Sequence, residues 1–227
     1  AAGSIGAAIT RTAEIAAAAP SVADASAANT GTGGITPGSV NSPADKLVVT
    51  FNNPPSSYDV VNEAVQPETG VIRDTNVTRA LGGDAFLDRM FHTAREAAPH
   101  AQLVYNDYMS WERNSEDETH IRGVLKLLDG LRKRGTPVDA LGVQSHIRFL
   151  KPLSVAEIVR ESQGPWRRFL DEVVGMGYRL VITEFDVNDR MAPTNIAVRD
   201  RMVAHYARAY LDVMLSYPQL RDIIGWG

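Results

Sequence analysis

From Leu47 onward, apolar positions fall into two alternating kinds of run. Short continuous stretches read as strands: "KLVVTF", "YDVV", "AQLVYNDY", "VDALGVQSHI", "YRLVITEFDV" and "RDIIGWG". Between them apolar residues recur at helical spacing. Residues 84–98 carry Leu87, Met90, Phe91, Ala94 and Ala98, and Pro99 ends the run. Ile121, Val124, Leu125, Leu128 and Leu131 mark a second helix, closed by Gly135 and Pro137. Trp166, Phe169, Leu170, Val173 and Val174 mark a third, stopped at Gly175 and Gly177. Met202, Tyr206, Ala209, Tyr210 and Val213 mark a fourth. Alternation of this kind predicts parallel strands joined by right-handed helical crossovers. Near-continuous apolar strands predict a sheet covered by helices. A barrel and an open doubly wound sheet both fit. No GxGxxG or GxxxxGK[ST] loop follows a strand, which weakens the second.

The N-terminal residues break the pattern. Ala, Ser, Thr and Gly dominate residues 1–45, whose ionisable side chains are Arg11, Glu14, Asp24 and Asp45. Such a stretch buries too little apolar surface to offset its ordering entropy. It predicts a low-complexity, linker-like segment over 1–45, with an Ala-rich helix over 9–19, and a partial barrel domain over 46–227. The proportions over all 227 residues, 44% hydrophobic and 22% charged, are those of a globular chain. A net charge of −4 gives no reason to expect a nucleic-acid partner. No run of about 18 apolar residues predicts a membrane span. No basic segment precedes an apolar one, so no intact signal peptide is visible. The absence of cysteine excludes disulfides and thiolate metal sites.

Polar residues close every barrel-type strand: Asn62 and Glu63, Asn106 and Asp107, Gln144 and His146, Glu184 and Asp186, and Trp226. In a parallel barrel the C-terminal strand ends converge on one face, where active sites lie. Singly, each has a plain reading: a carboxylate is a helix cap, a histidine is structural, a tryptophan is core. Together on one face they point to chemistry. Glu184 follows Leu180-Val181-Ile182, so it stands at a rim above an apolar floor. Asp186, two residues on, shares its side of an extended strand and is placed to orient His146 against Glu184. Two glutamates on one rim suit glycoside hydrolysis, one protonated to assist the leaving oxygen and one ionised to attack the anomeric carbon. Asn62 is placed to hydrogen-bond a sugar 2-hydroxyl. Trp111, Tyr108 and Trp226 offer flat apolar faces for pyranose rings.

The stretches "YDVVNEA", "LVYNDY", "VDALGVQSHI", "LVITEFDV" and "IIGWG" resemble, in order, strands four to eight of glycoside hydrolase family 10, the endo-β-1,4-xylanases. The resemblance implies an α/β fold of the (β/α)8 TIM-barrel type, incomplete or divergent at its N-terminal end. It implies a retaining double displacement on xylan, with Glu63 as acid/base and Glu184 as nucleophile. Asn62, Gln144, His146 and Asp186 would support them. Asn106, Tyr108 and Trp226 would meet the substrate. No metal or cofactor is called for. Polymeric substrate implies a secreted protein, extracellular or periplasmic, with xylan or xylo-oligosaccharide as its partner.

The chain departs from the family in places. Tyr58 stands where the family has tryptophan. The Glu-Asn…Met-Lys-Trp and Gly-His…Trp-His stretches of strands one to three, which bind glycone sugars, are absent from this sequence. The chain therefore reads as a fragment or a divergent truncation, with "KLVVTF" replacing one lost strand or with two chains associating to complete the barrel. Two rival functions remain at this level. One is a carbohydrate-binding remnant using Trp226 and Trp111. The other is a metal-dependent barrel enzyme with Asp107, His146, Glu184 and Asp186 as ligands.

Overall fold

The structure, a computed structural model, describes residues 12–16, 46–50, 56–112, 115–149 and 154–226. Strands β3 (Ser57–Asn62), β4 (Gln102–Asp107), β5 (Ala140–Val143), β7 (Arg179–Asn188) and β8 (Leu220–Gly225) lie side by side in that order, every neighbour parallel. Spatial order follows chain order with no reversal. A doubly wound sheet reverses at a switch point, whereas a barrel does not. The strands are those the five motifs predict.

One expected strand is two. "VDALGVQSHI" forms β5, breaks at Gln144 and Ser145, and resumes as β6 (His146–Arg148). Ser145 takes φ 66°, which turns the chain out of the extended conformation. β6 then pairs with the far end of β7, with His146 opposite Asp186.

Helices fill the connections. α1 (Asn76–Leu81) and α2 (Gly83–Ala97) follow β3, α3 (Ser115–Arg134) follows β4, α4 (Val155–Gly175) follows β6, and α5 (Ile196–Leu215) follows β7. Each apolar spacing read from the sequence lies within α2 to α5 or one residue beyond. The starts of α3 and α4 lie well upstream of the spacing, and at α4 a polar cap marks the start. Ser154 Oγ accepts from Glu157 N while the Glu157 carboxylate accepts from Ser154 N at 2.8 Å. Such a capping box is worth about 1 kcal/mol. α4 runs through Pro165, a residue that usually breaks helices, because its face Ile158, Ser162, Trp166, Phe169 and Val173 is buried on both sides of it.

Two expectations near the N-terminus are corrected. Thr12–Ala16 is a strand, β1, where Ala-richness predicts helix. Thr and Ile favour strands, and a short isolated Ala-rich helix is marginal in water. β1 pairs antiparallel with β2 (Lys46–Thr50), with Ile15 opposite Leu47, in a separate two-stranded sheet. β2 therefore does not replace a barrel strand. Phe51 and the remainder of the linker-like segment lie outside the described residues.

Strand alternation divides the core. Leu103 and Tyr105 on β4, Leu141 and Val143 on β5, and Leu180 and Ile182 on β7 pack outward into the helices, against residues such as Phe91, Leu128, Trp166 and Tyr210. Burying each of these large side chains contributes about 1.5–3 kcal/mol. Val104, Ala140 and Val181 form a smaller cluster on the opposite, inner face. Continuing that inner row toward the C-terminal ends gives Asn106, Gly142 and Thr183. β4 and β5 are buried along their whole lengths, whereas β3 and β8, at the two ends of the sheet, are largely exposed.

Candidate active site

The two glutamates meet a shared row of amides. Gln144 Nε2 donates to Glu63 Oε1 at 2.8 Å, and Asn106 Nδ2 donates to Glu184 Oε1 at 3.0 Å. Both amides also reach Asn62 Oδ1, at 3.4 and 3.0 Å. With that oxygen occupied, the Asn62 NH2 is the end available to a ligand. Asn106 is itself locked, because Thr183 Oγ1 donates to its Oδ1 at 2.7 Å. Gly142 lies beneath it. A Cβ there would stand 2.6 Å from Asn106 Oδ1, so only glycine leaves room for the amide.

Glu184 is held from a second side by His146. The imidazole Nε2 lies 3.2 Å from Glu184 Oε2, and Nδ1 lies 3.0 Å from Asp186 Oδ1. The ring is fixed between two carboxylates. Trp226 stands edge-on to it, with centroids 6.5 Å apart. Trp226 is 62% exposed and so offers an apolar face to a ligand. Asp59, also on β3, meets solvent, yet the surrounding walls desolvate it. That desolvation, with the charge of Glu184 added, pushes its carboxyl above the ordinary range.

Glu63 leaves β3 in the left-handed region, with φ 52°. For a residue with a Cβ this costs about 1–2 kcal/mol. Its N–H donates to Asn106 O at 2.8 Å, and its carbonyl accepts from Arg73 Nε at 2.6 Å. Tyr108 lies beside this corner, its hydroxyl accepting from Arg73 Nη2 at 3.3 Å.

Two of the residues singled out in the sequence sit elsewhere. Asp107 follows Asn106 and so points to the opposite side of β4. It is fully buried, accepts from the Tyr105 hydroxyl and from Tyr108 N, and lies 3.1 Å from Nε2 of buried His120. Burial, reinforced by Asp107, holds the Tyr105 phenol well above its usual range. The four-ligand metal reading therefore loses Asp107, and among the described residues no three His, Cys, Asp or Glu are grouped to hold an ion. Trp111 is core rather than platform: it is 1% exposed and packs edge-on to Trp166 and Tyr210.

Arg73 and Glu112 gave no sequence signal. Arg73 is carried back to Glu63 by a turn of chain that periodicity does not report. Glu112 is buried, accepts from Arg148 N at 2.7 Å and from the Tyr206 hydroxyl, and ties β6 to α5. Burial pushes its carboxyl up.

The chain is similar in sequence and fold to known proteins. Endo-1,4-beta-xylanase A of Caldicellulosiruptor saccharolyticus is 29% identical over 178 residues, covering 74% of this chain and 46% of its own length. Endo-1,4-beta-xylanase of Geobacillus stearothermophilus is 30% identical over 176 residues, 74% of this chain and 48% of that one. Among solved structures, xylanase 10B from Thermotoga petrophila in complex with xylobiose superposes with a TM-score of 0.59 at 28% identity, over 76% of this chain and 48% of the other. The chain spans about half the length of the relatives it matches. Its ordered row of parallel strands and its polar strand ends accord with the match of residues 39–227 to the family described as glycosyl hydrolase family 10, to which this chain belongs.

Proposed function

We propose that the chain carries the catalytic centre of a retaining endo-β-1,4-xylanase, with Glu63 as acid/base and Glu184 as nucleophile. The observation that supports this best is the single amide row linking the two glutamates, together with the His146–Asp186 pair that holds Glu184 from its other side. In the first step a Glu184 oxygen attacks the anomeric carbon. The glycosidic bond breaks, and Glu63 gives its proton to the departing oxygen. A glycosyl ester on Glu184 results. In the second step Glu63, now ionised, takes a proton from water. The water oxygen attacks the anomeric carbon, and Glu184 leaves as carboxylate. The Asn62 NH2 would grip the 2-hydroxyl, a bond that strengthens as positive charge develops at the neighbouring carbon. Trp226 and Tyr108 would bracket the sugars as apolar faces. Every proton and electron pair is accounted for by the two carboxylates and water.

Xylan is a polymer too large to enter a cell intact, so the site of action proposed is extracellular or periplasmic. The test is release of reducing ends from xylan by the purified chain, with Glu184→Gln and Glu63→Ala alongside. Release that disappears in Glu184→Gln supports the assignment. Undiminished turnover of xylan by Glu63→Ala overturns it. Binding of xylan without cleavage by the unaltered chain would select the carbohydrate-binding reading instead.

A further inference from the structure

We propose that Arg73 is the positioning residue of Glu63, fixing its left-handed peptide and standing beside its second carboxylate oxygen. The inference rests on Glu63 being the acid/base. Glu63 needs such a clamp because its backbone is strained at φ 52°. Its N–H is secured by Asn106 O, and its carbonyl is secured by Arg73 Nε at 2.6 Å. A residue held at both its N–H and its C=O cannot relax toward an extended conformation, which would swing the side chain off the rim.

Arg73 is delivered to this spot by a hairpin. Val65 pairs antiparallel with Ile72, Gln66 N donates to Val71 O at 2.7 Å, and Arg73 N donates to Ala64 O at 2.7 Å. The guanidinium therefore arrives on a backbone ladder that begins one residue after Glu63. Its planar fork serves two directions. Nε faces the Glu63 carbonyl, while Nη2 donates to Tyr108 Oη at 3.3 Å and lies 3.9 Å from Glu63 Oε2. Tyr108 is braced from below by an edge contact with buried His120, with centroids 4.7 Å apart. Gln144 takes the other carboxylate oxygen. Glu63 thus has a partner at its N–H, its carbonyl and each carboxylate oxygen, and Arg73 supplies two of those four contacts, the carbonyl bond and the ion pair at Oε2.

A clip that merely supported the hairpin would affect every substrate alike. In the glycosylation step, a residue that positions the acid affects only substrates whose leaving group needs a proton. The experiment compares Arg73→Met and Arg73→Lys with the unaltered chain on xylo-oligosaccharide and on 2,4-dinitrophenyl β-xylobioside, whose leaving group departs unprotonated. Arg73→Met is expected to lose roughly 10–100-fold on the oligosaccharide, part of the usual acid contribution, and under about 3-fold in the glycosylation step of the dinitrophenyl substrate. Lysine is expected not to restore the loss, because one ammonium cannot reach both the carbonyl and the phenol. Equal losses in the glycosylation steps of the two substrates, or none in either, overturn the inference. If Arg73→Met does not fold, Arg73→Lys carries the same comparison. Amide hydrogen exchange decides independently of turnover. Exchange at Glu63 should accelerate in Arg73→Lys while Gln66 and Gly70, bonded within the hairpin, stay protected. Unchanged exchange at Glu63 overturns the role of Arg73. A chain that cleaves neither substrate but shows the exchange effect overturns the functional reading and leaves the clamp standing.

Discussion

A single methyl at Gly142 tests whether the amide row is as tight as its geometry indicates. The added carbon would stand 2.6 Å from Asn106 Oδ1, 2.8 Å from Val104 Cγ1 and 3.0 Å from Thr183 Cγ2. Ordinary contact begins near 3.4 Å, so Asn106 would have to retreat by about 0.8 Å. It has nowhere to go without loss. Its Oδ1 is bonded to Thr183 Oγ1 and its Nδ2 to Asn62 and Glu184. Overpacking of this kind costs about 1–3 kcal/mol. The displacement also loosens Glu184, and misplacement of a reacting group by about 1 Å can cost on the order of 100-fold in rate. Gly142→Ala should therefore lower both the urea midpoint and kcat on xylo-oligosaccharide. Gly175→Ala is the comparison: nothing lies within 4 Å of a Cβ there, and its φ is not left-handed. That change should leave stability level or raise it by about 0.4–1 kcal/mol. A Gly142→Ala protein with unaltered midpoint and unaltered kcat would show that the amide row has slack, and the reasoning would fail.

Further expectations concern the groups around the site. Tyr105→Phe removes the hydroxyl that serves buried Asp107 and accepts from Ala64 N at 3.2 Å; unfolding by denaturant should show a loss of about 1.5–3 kcal/mol, as for a hydrogen bond to a buried charge. The Glu112 carboxyl is raised above 4.5 by burial, so the folded protein binds its proton more tightly than the unfolded chain does. Stability from this group is accordingly lost as pH climbs from about 4.5 through its folded value, and it stays lost above. Glu112→Gln should raise the thermal midpoint at pH 7 and not at pH 4, and an unchanged difference across that range would refute the account. Trp226→Ala should raise KM for xylo-oligosaccharide severalfold with no change in the urea midpoint, because the indole is mostly in solvent; a fall in stability would reassign it to the core.

The five parallel strands were legible because each is an apolar run ended by polar residues, and helical spacing located α2 to α5. The break at Ser145 was not legible, since a left-handed serine leaves no trace in hydrophobic pattern. Nor was β1, whose pairing with β2 is a long-range choice that overrides alanine's local preference. Within the site, Asn62, Glu63, Asn106, Gln144, His146, Glu184 and Asp186 converge as their strand ends predicted. Asp107 need not have been grouped with them. Adjacent strand residues face opposite ways, and Tyr105, two positions earlier, already belonged to the outward row. Trp111 misled because an aromatic just past a strand end looks the same in sequence whether it opens to the cleft or folds back onto α4 and α5. Arg73 was invisible because a hairpin, not a period, brings it home.

The two-residue interruption between β5 and β6 has a mechanical consequence. Gln144 precedes the left-handed Ser145 and answers Glu63, and His146 follows it and answers Glu184. The two carboxylates proposed as proton donor and nucleophile are thus gauged against one short piece of backbone, three residues long. Ser145 Oγ pairs at 2.8 Å with the Tyr210 hydroxyl of α5, on the side away from the cleft. Any shift of that outer helix is transmitted through one serine to the partners of both carboxylates at once. The spacing between the carboxylates is therefore tuned as a unit, and a substitution on α5 that never touches sugar can retune it.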